Sequence, residues 1–445
     1  MSITETPPGE RKPGHRAHWF VPFALTGAVA GILIAEVLAR QAGFPGPLPG
    51  LVGDVVGVPK SASVPWAGLV LAMVGLTVRD RWLAIGAAVL IDGAFLAGRV
   101  LTDGPITVGN GPTVVLALLA LYAASTMSGE TRRGALRGIG LGVLLVLSVK
   151  IGDAWLELTV LAGPEVLDEY VQLADHALGN PSWLAGQILN ELGGGAYAVL
   201  HWVYIELPVA AIVVAVHQLR NVGGGRPWPA HHLVRTFLLI GLIGPLCYVL
   251  FPVVGPVFAF GDSGSGWQVA DAWPTWAPLN MQPAPIPFDD ETPRNCMPSL
   301  HTAWATALFL HSRSGPRWLR WVGAAWLACT LAATLGFGYH YGVDLVTGAV
   351  LCLTLESALR DPDRGWGSFR IRLVAGGTML IVAQLAAYRY LPDVMAGHAL
   401  IAGPVLLASL VAMIVAFRAT FPVQDSFGQT PSSESISPSR PSCSR

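Results

Sequence analysis

Long apolar runs separated by short polar breaks dominate the chain, and their lengths set its secondary structure. A helix that crosses a bilayer needs about 20 mostly apolar residues. Runs of that kind lie near 19–39, 63–78, 82–98, 113–128, 136–158, 193–218, 233–254, 298–312, 318–338, 340–358, 371–391 and 395–417. The pattern predicts an all-α polytopic membrane protein with about twelve transmembrane helices. Between 159 and 192, polar and apolar positions alternate at helical spacing through Glu165, Asp168, Glu169 and Asp175, which predicts an amphipathic helix lying on a membrane surface. The connection 255–297 sets Trp267, Trp273 and Trp276 among Gly and Pro, as in an irregular segment anchored at the interface. The polar stretches 1–18 and 421–445 are expected to be disordered tails.

Composition agrees with the pattern. Charged residues are 12% of the 445, about half the roughly 25% of a soluble domain. The net charge of −1 leaves no basic face for nucleic acid. The first apolar run is too long for a signal-peptide core, and Glu36 and Arg40 spoil a small-residue cleavage site, so an uncleaved anchor is expected. Twelve spans fix which connections share a side. On one side fall 21 of the 27 Lys and Arg, including those at 79–81, 132–137, 220–235, 313–320 and 360–372 and in both tails. By the positive-inside rule both termini are cytoplasmic and the connections 159–192 and 255–297 are extracytoplasmic. Only three basic residues are Lys, a skew that points to a GC-rich bacterial genome, hence a bacterial plasma membrane. The five cysteines show no CxxC pair or zinc spacing, and those in or beside apolar runs read as buried thiols.

Ionisable residues at span ends are functional candidates, because they are costly inside a bilayer. Pro298-Ser299-Leu300-His301 opens one span from its extracytoplasmic end, and Tyr339-His340-Tyr341-Gly342-Val343-Asp344 opens another from the same side. His340 and Asp344 are four residues apart, so the carboxylate can accept an imidazole N–H one turn away. His301 lies at comparable depth. Two His and one Asp that converge suit phosphoryl transfer. One imidazole attacks phosphorus, the carboxylate holds its tautomer, and the other imidazole protonates the leaving oxygen. The Pro-Ser start adds unpaired N–H groups and a hydroxyl at a helix N-terminus, an anion site.

Cys296-Met297-Pro298-Ser299-Leu300-His301-Thr302-Ala303-Trp304, with Gly338-Tyr339-His340-Tyr341-Gly342-Val343-Asp344-Leu345 about 40 residues on, resembles the type 2 phosphatidic acid phosphatase superfamily. Within it, the chain resembles the branch of inositol phosphorylceramide synthase and related inositolphosphotransferases, whose Phe-Pro-rich turn is matched by Phe251-Pro252-Val253-Val254-Gly255-Pro256. The resemblance covers roughly 134–358 and implies a six-helix catalytic core. Four flanking spans (19–128) precede it and two (371–417) follow. It implies His340 as the nucleophile that forms a phosphohistidine, Asp344 as its orienting partner, His301 as general acid and Ser299 against the phosphate. It also implies chemistry that needs neither metal nor cofactor.

The phosphatase pattern carries Lys and Arg-Pro in its first motif and an Arg six residues before the nucleophile. Here Thr334 stands at the latter position, and no Lys or Arg-Pro lies near Phe251-Pro252. The substitute cations are Arg294, just before the Pro-Ser-Leu-His run, and Lys150. Lys150 forms an i, i+3, i+7 stripe with Asp153 and Glu157 that also fits an internal ion pair. His201, Tyr204 and Glu206 fit either the same cavity or helix–helix hydrogen bonds, and Asp289-Asp290-Glu291 fits a solvated acidic run. The missing charge favours a phosphodiester donor, hence transfer of a phosphorylated headgroup, inositol phosphate or similar, from a membrane lipid to a hydroxyl acceptor. The alternatives are a phosphatase, with water as acceptor, for phosphatidic acid or a polyprenyl (di)phosphate, and a non-catalytic transporter or scaffold on the same fold.

Overall fold

The computed structural model describes residues 20–43, 45–159, 165–222, 227–260 and 294–421. Among them the regular elements are all helical. The N-terminal half holds α1 (Phe20–Ala42), α2 (Pro47–Val56), α3 (Ser63–Ala72), α4 (Val78–Leu101), α5 (Asn110–Thr126) and α6 (Gly129–Thr159). Next come α7 (Asp168–Asp175), α8 (Pro181–Ile205), α9 (Leu207–Leu219), α10 (Leu233–Leu250), α11 (Pro256–Phe260), α12 (Leu300–Ser312), α13 (Arg317–Gly336) and α14 (Gly342–Leu359). Helices α15 (Ser368–Tyr390), α16 (Pro392–Gly397) and α17 (Ala399–Thr420) close the chain. The tails, the segment of Trp267, Trp273 and Trp276, and the run Asp289-Asp290-Glu291 lie outside the described residues, Phe421 apart.

The chain is a multi-pass membrane protein. Among the described residues, eight helices are long and apolar enough to cross a membrane, and α8 with α9 makes a ninth as a pair bent by 52°. The bend falls at Glu206, before Pro208 in the first turn of α9. The expected twelve full spans are therefore not reached by this measure. Helix α3 and the 3-10 turn after it end at Gly75, α5 has 17 residues, and α12 has 13, from the Ser299 cap to just before Gly315-Pro316.

Lipid and protein contacts separate the helices. In α17, Leu400, Ile401, Val405, Leu407, Val411 and Val415 are exposed, as apolar side chains are where lipid is the solvent. Only 22% of the apolar window of α17 is buried, against 78% for α14. Helix α14 is thus the central post, packed against α10, α12, α15 and α17. Its approach to the start of α12 needs a residue without a side chain. A Cβ on Gly348 would stand 2.3 Å from the Ser299 carbonyl oxygen. Helix α6 packs on α1, α3 and α5, and also on α10, so it joins the N-terminal helices to those around α14.

Helix α7 departs from the expected surface helix. Its Asp168 and Asp175 are fully buried, and it packs against α11, α14, α15 and α16. The polar face turns inward because its carboxylates satisfy backbone N–H groups of two neighbouring turns, as buried polar groups must.

Candidate active site

The segment before α12 and the turn between α13 and α14 meet at one end of the central post. Ser299 caps α12: its hydroxyl accepts from Thr302 N–H at 3.3 Å and from the Thr302 hydroxyl at 3.0 Å. Its own N–H donates to the Asp344 carbonyl at 3.2 Å, which ties the first turn of α14 to the start of α12. Across from it, His340 is clamped by its backbone. Its N–H donates to the Thr334 carbonyl at 3.2 Å, and its carbonyl accepts from the Ser182 hydroxyl of α8 at 2.6 Å.

The His340 ring is oriented by a carbonyl. Nδ1 lies 2.8 Å from the Cys296 carbonyl oxygen, and Asp344 Oδ2 stands farther off at 3.4 Å. A carbonyl oxygen can only accept, so the proton sits on Nδ1 and Nε2 keeps its lone pair. Asp344 Oδ2 accepts from Tyr341 N–H at 2.8 Å and from the Cys296 thiol at 2.7 Å. Its Oδ1 is buried with no hydrogen-bond partner among the described residues. The expected pairing of His340 with Asp344 is present, and Cys296 stands between them, holding the ring with its carbonyl and the carboxylate with its thiol. Burial pushes the His340 imidazole down to about 4, and the Cys296 carbonyl opposes that shift.

His301, in the first turn of α12, stacks on Tyr204 with ring centroids 3.9 Å apart and planes 17° apart, and its Nδ1 lies 3.0 Å from the Tyr204 hydroxyl. It is near enough to His340 for a charge on one imidazole to act on the other. Tyr204 also leans on Phe337 and Tyr339, and His201 stacks on Tyr197 beside the same Phe337. Of the three polar residues expected in this span, Tyr204 touches His301 directly. Glu206 stands at the α8–α9 bend instead.

The two expected cations separate. Arg294 is fully buried just before the Cys296 segment, and its backbone N–H donates to the Thr159 hydroxyl at the end of α6 at 3.0 Å. Lys150 Nζ is paired with Asp54 Oδ2 of α2 at 2.9 Å, both side chains buried. Lys150 is thus in an internal ion pair, with a partner from α2. Thr334 is buried and turns its hydroxyl back to the Thr330 carbonyl at 2.9 Å.

Four residues of this shell went unassigned in the sequence: Asp168, Asp175, Ser182 and Tyr341. Asp168 accepts from Val254 N–H at 3.0 Å, Gly255 N–H at 2.9 Å and the Tyr341 hydroxyl at 2.8 Å, so one carboxylate locks two loops. Gly255 turns there with φ of 103°, and a Cβ on it would meet the Tyr339 carbonyl at 2.4 Å. Asp175 accepts from Val343 N–H at 3.0 Å, at the N-terminus of α14. Burial raises the Asp168 carboxyl to about 6 against the pull of its three donors. It raises that of Asp175 to about 8, with Asp344's charge adding to the effect and the Val343 N–H opposing it. The available signal was the seven-residue spacing of Asp168 and Asp175, which puts both on one helical face.

Helices packed round a central post, with a buried imidazole and carboxylate and a second, partly exposed imidazole at one end, define a multi-pass membrane protein with a His/Asp/His centre. Residues 172–357, which hold that centre, match the model of the PAP2 superfamily and form a PAP2 superfamily domain. Members of this superfamily are typically phosphatases or phosphotransferases. Residues 21–158 match a second model, described as a domain of unknown function (DUF5933). Helix α6 thus falls almost wholly within the second match, whereas the sequence placed the start of the core at 134. No curated protein and no solved structure matches the chain.

Proposed function

We propose that the protein transfers a phosphorylated headgroup, inositol phosphate or similar, from a membrane phospholipid to a hydroxyl acceptor through a covalent adduct on His340. The observation that carries this reading is the Nδ1–H to carbonyl bond of His340, which leaves the lone pair of this buried imidazole on Nε2, where it can act as the nucleophile. Nε2 attacks phosphorus, and the bond from phosphorus to the diacylglycerol oxygen breaks. His301 gives that oxygen its proton. The acceptor hydroxyl then attacks the adduct, its proton passes to His301, and the P–N bond breaks. Asp344 balances the charge that develops on His340. The Ser299 segment and Arg294 hold the phosphate.

A diester donor is favoured over a monoester by the charge available. A monoester dianion carries up to about two negative charges at neutral pH. Lys150 is already neutralised by Asp54, and Thr334 supplies no cation. Arg294 matches the single charge of a diester. The excess of Lys and Arg around the opposite end of the core supports a topology with both termini cytoplasmic and the His340 end extracytoplasmic, and the scarcity of Lys among the basic residues supports a bacterial plasma membrane.

The test is to incubate the purified protein with phospholipids labelled at the phosphate and a mixture of hydroxyl acceptors. Label in a new lipid supports headgroup transfer. Label only in free phosphate, from phosphatidic acid or polyprenyl phosphate, replaces it with hydrolysis by the same three residues.

A further inference from the structure

Helices α12 and α14 carry a second set of two His and one carboxylate at their other ends. His311 lies ten residues beyond His301 and Glu356 twelve beyond Asp344, about 15 and 18 Å along the helices at 1.5 Å per residue. His311 Nε2 is 3.2 Å from Glu356 Oε2, and His231 Nε2, from the segment before α10, is 3.0 Å from Glu356 Oε1. The three side chains are at most 10% exposed. We propose that these residues form a binding site for a zinc-like divalent cation, held by His231 Nε2, His311 Nε2 and the Glu356 carboxylate, which fastens this end of the core.

The donor set carries the assignment. Two imidazoles and one carboxylate suit zinc and its neighbours, whereas calcium and magnesium take oxygen. Bonds of about 2.0–2.2 Å in a tetrahedral arrangement set neighbouring ligand atoms about 3.3–3.5 Å apart; the two His–carboxylate spacings, one to each oxygen, fall just inside that, and the three ligand atoms all lie within 4.8 Å of one another. An ion moves the ligand atoms outward by a few tenths of an ångström. The surroundings are those of a supported site. The Thr236 hydroxyl donates to Glu356 Oε2 at 2.6 Å, and Arg360 Nη1 stands 3.6 Å from Oε1 on a partly exposed side chain that can swing aside.

Protons must move when the ion enters. Without it, each Nε2–H points at the carboxylate; with it, each neutral ring carries its proton on Nδ1. The His231 Nδ1 is buried with no partner among the described residues, so the proton it gains meets no acceptor in that set and is a cost that metal binding must outweigh. The His311 Nδ1 faces Gln218 Nε2 at 2.9 Å, while Gln218 Oε1 accepts from Leu233 N–H at 3.0 Å. Binding therefore requires the Gln218 carbonyl to turn toward His311, the usual outer partner of a metal-bound imidazole. A carboxylate at 218 would serve both donors without turning.

The experiment uses the full chain, purified in detergent without a polyhistidine tag, stripped with chelator and titrated with Co²⁺. One Co²⁺ per chain is expected, with the visible d–d bands of four- or five-coordinate cobalt, displaced by Zn²⁺. His231→Ala and Glu356→Gln should abolish those bands. Gln218→Glu, which removes no ligand, should tighten binding about tenfold, the lower end of known outer-partner effects. Three results would overturn the assignment. They are no saturable uptake, uptake unchanged in His231→Ala and Glu356→Gln, or thiolate charge-transfer absorption, which would put the ion at Cys296. If the ligand variants fail to fold, unchanged or weaker binding by Gln218→Glu overturns it as well.

Discussion

The two ends of α12 and α14 each gather two imidazoles and one carboxylate, to opposite effect. At the Glu356 end the polar atoms point at one another: two imidazole Nε2 atoms and the Thr236 hydroxyl share the two carboxylate oxygens. At the His340 end the backbone intervenes. The Cys296 carbonyl takes the Nδ1 proton, the thiol and Tyr341 N–H occupy one oxygen of Asp344, and the other oxygen is left without a partner. Residue type therefore does not separate the two arrangements. What does is whether an imidazole keeps its lone pair on Nε2, and at His340 the Cys296 carbonyl is what leaves it so.

The sharpest break in that comparison comes from His340→Gln, which should reduce transfer to background while circular dichroism and the unfolding temperature stay unchanged. Asp344→Asn and His301→Gln should each lower kcat by about 10²–10⁴, the range of positioned acid–base groups, again in folded protein. Substantial turnover in His340→Gln would move the nucleophile elsewhere.

The cations come next. Lys150→Met leaves Asp54 buried without its partner and should cost about 3–5 kcal/mol of stability, read as a fall in unfolding temperature. Arg294→Ala should raise the KM for the lipid donor more than Lys150→Met does. The reverse order would put Lys150 at the phosphate.

Two smaller effects depend on pH. Asp175 has its carboxyl raised to about 8 by burial, so its contribution to stability is complete below pH 4 and is lost as the pH climbs through 8. The unfolding temperature should fall between about pH 4 and 8 and level off above that, and Asp175→Asn should flatten that fall. His340 is held down near 4, so its neutral form persists well below the usual imidazole range. The acid limb of kcat/KM should then centre near pH 4, and a limb near 6.5 would mean that the ring is solvated in the working enzyme.

Local relations in this molecule were legible in the sequence, and long-range ones were not. His340 and Asp344 lie one turn apart, so their spacing alone predicts that they meet. The Ser299 cap and the apolar runs are equally local. The Cys296 thiol reaches Asp344 across 48 residues, and Asp168 reaches Tyr341 across 173; no periodicity encodes such pairs. Helix α7 was misplaced for the same reason. Its two Asp look solvated until the backbone N–H groups of Val254, Gly255 and Val343 arrive from distant turns. The exact count of twelve spans is not confirmed for a different reason, since an apolar run gives a length but not where a cap or a Pro stops the helix.

The central claim is that His340 Nε2 becomes covalently bonded to phosphorus. The protein should be mixed with a phospholipid labelled at the phosphate, with no acceptor present, quenched within one turnover at alkaline pH, digested and read by mass spectrometry. The account predicts the phosphorylated headgroup on the peptide that contains His340, and no adduct when that residue is Gln. An adduct on His301, or turnover of the same donor with no adduct on any His, would contradict it.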